Sequence, residues 1–295
     1  MLKFRCFRRM NGFKNYRSFA NSKTNLYLWG SGKSGSLGNG HSDDVPVPMK
    51  LEMPKNERFE SISFGSLHTA LLTKSGKVFT AGSNLNGQLG IGGTSEKVEA
   101  FQEVKNIEKI TSIACGEKHT LALDIKGQAF SWGFGGSLFS AGALGTGQKQ
   151  SHDTPTRVKQ PEPFHSIAAG SLHSLALSKT GKVYAWGSSE RGALGVLGSQ
   201  SFFLSGLLSP TSIDYFARHK IERIFARSKV SAALTDDGKL FMWGSNDKHQ
   251  LGVESVNVEI QSCENVPVHI EVDSEKYKLT IQKLGLSAKK CMAIN

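Results

Sequence analysis

The chain has 295 residues and a formal net charge of +11, with 32 glycines, 8 prolines and 4 cysteines. Hydrophobic residues at 38% and charged residues at 21% mark a folded globular protein and exclude a largely disordered chain. No run approaches the ~18 apolar residues of a membrane-spanning helix. The scattered Cys6, Cys115, Cys263 and Cys291 form no CxxC pair, which argues against a disulfide framework or structural zinc and fits a reducing compartment.

The charge is concentrated at the start. Residues 1–24 hold Lys3, Arg5, Arg8, Arg9, Lys14, Arg17 and Lys23, while the first acidic residue is Asp43. The remaining 29 basic and 25 acidic residues leave the body at only +4. Phe4, Phe7 and Met10 fall at helical spacing among the arginines, giving an apolar face beside a cationic one. That composition predicts a mitochondrial transit peptide over 1–24, removed from a body of residues 26–295. A solvated basic tail and a nuclear address are the alternatives.

One phrase then recurs five times. It runs from Trp29-Gly30 to Leu37-Gly38, from Ala81-Gly82 to Leu89-Gly90 and from Trp132-Gly133 to Leu144-Gly145. It returns from Trp186-Gly187 to Leu194-Gly195 and from Trp243-Gly244 to Leu251-Gly252. The leading glycines therefore recur with a nearly constant period. A second phrase, GxxH, ends at His68, His119 and His173, each followed by an apolar run. It decays to Arg227-Ser228-Lys229-Val230 and Ser287-Ala288-Lys289-Lys290 in the last two copies. Polar glycine turns such as Lys179-Thr180-Gly181-Lys182 separate the phrases and read as hairpins. A period of roughly 50 residues built of short strands predicts all-β propeller blades, because one small sheet cannot bury both faces.

These WG…LG and GxxH phrases resemble the repeats of the regulator of chromosome condensation family over about residues 26–295. The resemblance implies a β-propeller whose family norm is seven blades; this chain carries five repeats. They suit a five-bladed ring or a shortened seven-bladed one. The chain begins at the WG strand and its last residues align with the strand after GxxH, so the N-terminal strand is expected to complete the last blade. With the basic N-terminus, the chain is similar to the mitochondrial branch of the family.

Several residues mimic catalytic or ligand chemistry. Gly30-Ser31-Gly32-Lys33-Ser34-Gly35 satisfies GxGxxG, but Val45-Pro46-Val47-Pro48 follows where a dinucleotide site needs a helix. No cofactor is therefore expected. The three repeat histidines sit in equivalent slots of different blades, a placement that suits bonding to backbone rather than a shared metal. The other histidines are expected in loops, and Cys115 reads as a small buried residue. No nucleophile elbow, HExxH or paired catalytic carboxylates occur, so the chain is not expected to be an enzyme.

Binding residues are sought instead on the loops between WG and LG. The third loop is four residues longer than the others and offers Phe134, Leu138 and Phe139 as apolar anchors. Lys33, Arg191 and Lys248 place cations in three other loops. The apolar stretch Ser201–Leu208 suits blade surface, a partner or the inner membrane as a peripheral contact. The resemblance implies a protein-binding platform in the mitochondrial matrix, or on the matrix side of the inner membrane. Its expected role is gene expression (ribosome or RNA processing, direct RNA contact included) or respiratory-complex biogenesis. Guanine-nucleotide exchange on a mitochondrial GTPase is the alternative. Chromatin binding is opposed by the transit peptide. Light sensing, a further use of the family, needs tryptophans beyond the repeat ones, and all four here belong to WG phrases.

Overall fold

Glycine turns and alternating apolar residues fold each repeat into antiparallel strands, seen in a computed structural model. The structure describes residues 26–52, 57–137, 140–196, 206–252, 263–270, 283–286 and 291–294. Blade I comprises β3 (Phe59–Phe64), β4 (His68–Thr73), β5 (Val78–Asn84) and β6 (Ser95–Glu103). Blade II comprises β7 (Ile110–Cys115), β8 (His119–Asp124), β9 (Ala129–Gly133) and β10 (His152–Arg157). Blade III follows with β11 (Phe164–Ala169), β12 (His173–Ser178), β13 (Val183–Ser188) and β14 (Gly206–Ser212). Blade IV has β15 (Ile221–Arg227), β16 (Val230–Thr235), β17 (Leu240–Ser245) and β18 (Cys263–Ile270). In each blade the strands are hydrogen-bonded in chain order, and the second and third are buried along nearly their whole length.

Two half-sheets flank the four blades. One pairs β1 (Leu26–Gly30) with β2 (Val45–Leu51), and the other pairs β19 (Lys283–Leu286) with β20 (Cys291–Ile294). By register they are the outer and inner halves of a fifth blade. Among the described residues they are not hydrogen-bonded to each other, so the expected completion of the last blade by the N-terminal strand is not made and the ring is open.

Packing between blades explains the recurring phrases. In the WG strand of blade III, Val183 and Ala185 face blade IV, whereas Tyr184 and Trp186 face blade II. Trp132, Trp186 and Trp243 each lie flat on the LG glycine of the preceding blade, where a Cβ on Gly90, Gly145 or Gly195 would sit 2.6–2.7 Å from the ring nitrogen. That glycine is the hole for the tryptophan knob. Blade I has Ala81 in the tryptophan slot, and the Phe101 ring from β6 fills the space over Gly38 instead. At the open ends the knob and hole are separated. Trp29 is 44% exposed, against 0% for the other three tryptophans, and among the described residues nothing lies nearer to a Cβ on Gly252 than Ile270 at 3.9 Å.

Candidate partner-binding rim

The GxxH loops and the WG-to-LG loops emerge at the same end of every blade, because the second strand starts opposite the end of the third. His68 pairs with Gly82, His119 with Gly133 and His173 with Gly187. Hydrogen bonds tie the two loops together: Ser83, Phe134, Ser188 and Ser245 donate their N–H to the carbonyls of Leu67, Lys118, Leu172 and Lys229.

Beneath this rim the histidines stitch blade to blade. His68 Nε2 lies 2.9 Å from Thr120 Oγ1, His119 Nε2 3.1 Å from Ser174 Oγ, and His173 Nε2 2.9 Å from Ser231 Oγ. Each hydroxyl donates onward to a loop carbonyl of the preceding blade: Gln88, Ala143 or Ala193. Since a hydroxyl has one proton to give, it must accept from the imidazole, which fixes the Nε2–H tautomer. The Nε2 partners are therefore side-chain hydroxyls of the next blade, and backbone groups of His119 and Ser171, also in the next blade, act on the His68 and His119 rings as well. Burial depresses the ring pKa values to about 4 for His68 and His173 and about 3 for His119, where the neighbouring histidines add to the effect. Neutral, buried and engaged imidazoles are scaffold, unsuited to exchanging protons with a substrate. Glycine makes room for them: a Cβ on Gly116 would lie 2.2 Å from the His119 ring and 2.5 Å from the Gly170 carbonyl.

Other residues find structural roles. The Cys115 thiol is pushed up to about 11 by burial, which keeps it protonated and unreactive. His152, His165 and His269 lie in β10, β11 and β18 rather than in loops, because these outer and inner strands extend beyond the repeat phrases. The GxGxxG stretch leads into a three-residue 3-10 turn, Lys33–Gly35, followed by a strand. Asp44 Oδ1 already accepts the Gly32 N–H at 3.0 Å and the Ser31 hydroxyl at 2.9 Å, so a carboxylate sits where a phosphate would have to.

The rim candidates fare differently. Lys33, Arg191 and Lys248 are exposed on separate loops, and Arg191 reaches the loop that carries Lys248. Arg191 Nη1 lies 3.5 Å from Asp247 Oδ1 across the boundary between blades III and IV, and Lys229 is ion-paired with Glu190 across the same boundary. Those charges hold neighbouring blades. Phe134 is half-buried, with Lys118 Nζ 5.6 Å above its ring centroid. Leu138 and Phe139 lie outside the described residues; Gly136 and Ala141 on either side form an antiparallel bridge. Of the stretch Ser201–Leu208, residues 201–205 lie outside the described residues. Leu207 packs into the cores beside blade III from β14, which is blade surface. The transit peptide at 1–24 also lies outside them.

Sequence reasoning missed two sets of residues. The stitch hydroxyls were visible as the Thr or Ser after each histidine slot: Thr120, Ser174 and Ser231. The exposed Leu67 and Leu85 belong to the same rim and had no motif to mark them.

Residues 25–293 match the family described as the RCC1-like domain. In Arabidopsis thaliana the chain is similar to the ultraviolet-B receptor UVR8, with 31% identity over 88% of this chain and 57% of that protein. It is also similar to the RCC1 domain-containing protein RUG3, mitochondrial, of the same plant, with 32% identity over 90% of this chain and 60% of that protein. The secretion-regulating guanine nucleotide exchange factor of Bos taurus is 32% identical over 84% of the chain and 54% of its own length. The chain thus spans somewhat over half of these relatives. Among solved structures, yeast RCC1 (Prp20) bound to Kap60 superposes with a TM-score of 0.77 at 21% identity, covering 91% of this chain and 62% of that one. At that identity the likeness shows the β-propeller fold alone.

Proposed function

The chain belongs to the RCC1-like domain family, and on that footing we propose that it is a non-enzymatic binding platform of mitochondria. In this reading residues 1–24 address the chain to the matrix and are removed. Residues 26–295 support gene expression, through the ribosome or RNA processing, or respiratory-complex biogenesis. The observation that carries it is the relative named RUG3, mitochondrial, aligned over nine tenths of this chain, which agrees with the basic, acid-free N-terminus. The rim supports a binding role, since rigid blades hold a ring of loops whose variation does not disturb the core.

Exchange on a mitochondrial GTPase is the second reading, favoured by the similarity to the secretion-regulating guanine nucleotide exchange factor. Exchange in this reading needs only a loop wedge, which the same rim can provide. A tagged pull-down from mitochondria, split into untreated, RNase-treated and nucleotide-stripped samples, separates the two. The platform reading predicts a ribosomal, RNA-processing or assembly partner in the untreated sample. A GTPase enriched only after nucleotide stripping overturns it in favour of exchange.

A further inference from the structure

The five repeats contain their own standard for what each rim position needs structurally. The residue after the WG glycine is serine in four copies, Ser31, Ser83, Ser188 and Ser245, and phenylalanine only at Phe134. Three of those serines serve their loops: Ser31 and Ser188 hydroxyls accept the N–H groups of Lys33 and Glu190, and Ser245 bonds Asp247 and Gln250. Two residues further on, the loops of equal length carry Lys33, Glu190 and Asp247, but Leu85 in blade I. Before the GxxH histidine slot, Lys118 and Lys229 in blades II and IV correspond to Leu67 in blade I. Blade III also has a leucine there, Leu172, but a half-buried one. Leu85 is 63% exposed and Leu67 37%, so neither is there to fill a core.

The backbone links the three departures across the boundary between blades I and II. Leu67 accepts the Ser83 N–H at 2.7 Å, at the root of the loop bearing Leu85. That loop seats on the start of β10, where Gly92 and Gly93 donate to Asp153 and a Cβ on Gly87 would lie 2.7 Å from its Cα. The adjacent His152 pairs with Gly133, immediately before Phe134. Charge is distributed to match. The rim loops 65–67, 84–88, 116–118 and 134–143 of these two blades carry only Glu117 and Lys118, while blades III and IV cross-link theirs with ion pairs.

We propose that Leu67, Leu85 and Phe134 form a docking surface across blades I and II for an uncharged, apolar segment of a partner protein. This deepens the platform reading and rests on it. A phosphate backbone finds no cationic array on these loops, whose own charges are the single pair Glu117 and Lys118, with only Arg227 and Asp153 at their margins. An apolar segment finds contact area at side chains that the fold leaves uncovered.

The test restores the chain's own repeat residues, Leu67→Lys, Leu85→Lys and Phe134→Ser, together in the full chain. Each substitute already occupies the same slot in another repeat, so the melting temperature is expected to stay within ~3 °C. Nile red, a neutral apolar probe, should bind the parent chain at least tenfold more tightly than the triple variant. A photo-crosslinker at position 85 in mitochondria should give protein adducts that survive RNase and 0.5 M KCl and vanish with Phe134→Ser. Unchanged Nile red affinity, or adducts lost to RNase, overturns the surface. If the triple variant recovers the same partners in the pull-down, the surface is wrong and the platform reading stands. If the parent chain recovers none, the platform fails while the Nile red comparison still judges the surface.

Discussion

Acidification from pH 7 to pH 4 should remove most of this protein's stability through three buried histidines. His68, His119 and His173 have folded pKa values of about 4, 3 and 4, far below the ordinary 6.5, because burial penalises the imidazolium. The unfolded chain binds three protons as the pH falls through 6.5, and the folded chain binds none until about pH 4. Stability is therefore full above pH 6.5 and declines as pH decreases, by at most about 1.4 kcal/mol per pH unit per histidine. Together the three remove on the order of 10 kcal/mol by pH 4, comparable with the whole stability of an ordinary domain. Asp237, held down to about 2 by its bond to Lys239, adds to the loss only at lower pH. Urea titrations at pH 7, 6, 5 and 4 should show a steadily falling midpoint and about three protons taken up on unfolding. A midpoint that is flat from pH 7 to 4.5 would mean that the histidines are solvated in the native protein.

The second large effect concerns one tryptophan and the contrast with another. Trp186 is fully buried, donates to the Ala143 carbonyl at 2.8 Å, stacks on Phe164 and covers Gly145. Trp186→Ala should cost ~3–5 kcal/mol, the range for emptying a large aromatic site in a packed core. Trp29 occupies the same repeat slot but faces solvent, so Trp29→Ala should cost under ~1 kcal/mol. Denaturant titration of both variants gives the comparison directly. Equal losses would show Trp29 buried in solution, as it would be if the Gly252 hole had been closed over it.

Much of this architecture is written in the chain, because repetition multiplies weak local signals. One WG or GxxH phrase means little, but five WG phrases in phase at a nearly constant period define blades, strand order and hairpin positions. Their chemistry came from the structure: the tryptophan lies on the LG glycine of the preceding blade, and the histidine ring fills the space a Cβ would take on the glycine three residues before it. What the chain did not disclose depends on distance in space. Arg191 reads as an available cation until Asp247, on the loop of the next blade, is seen beside it. The pairing of β1 with β20 looks assured from complementary phases, yet it depends on where the two ends stand relative to each other, which no local pattern encodes. Leu67 and Leu85 fall between these cases. Comparing the repeats slot by slot exposes them, but only the structure shows that they are uncovered and that the Leu85 loop seats on the start of the strand paired with Gly133, next to Phe134.

The central claim is a division of labour: repeat residues build the ring and rim residues bind the partner. One paired measurement tests it, recording melting temperature and partner recovery at 20 °C for His119→Gln and for the triple rim variant. His119→Gln should lower the melting temperature, losing ~1–2 kcal/mol with its bond to Ser174, while partner recovery is kept. The rim variant should keep its melting temperature and lose the partner. Loss of the partner in His119→Gln at unchanged melting temperature, with recovery intact in the rim variant, would contradict the account.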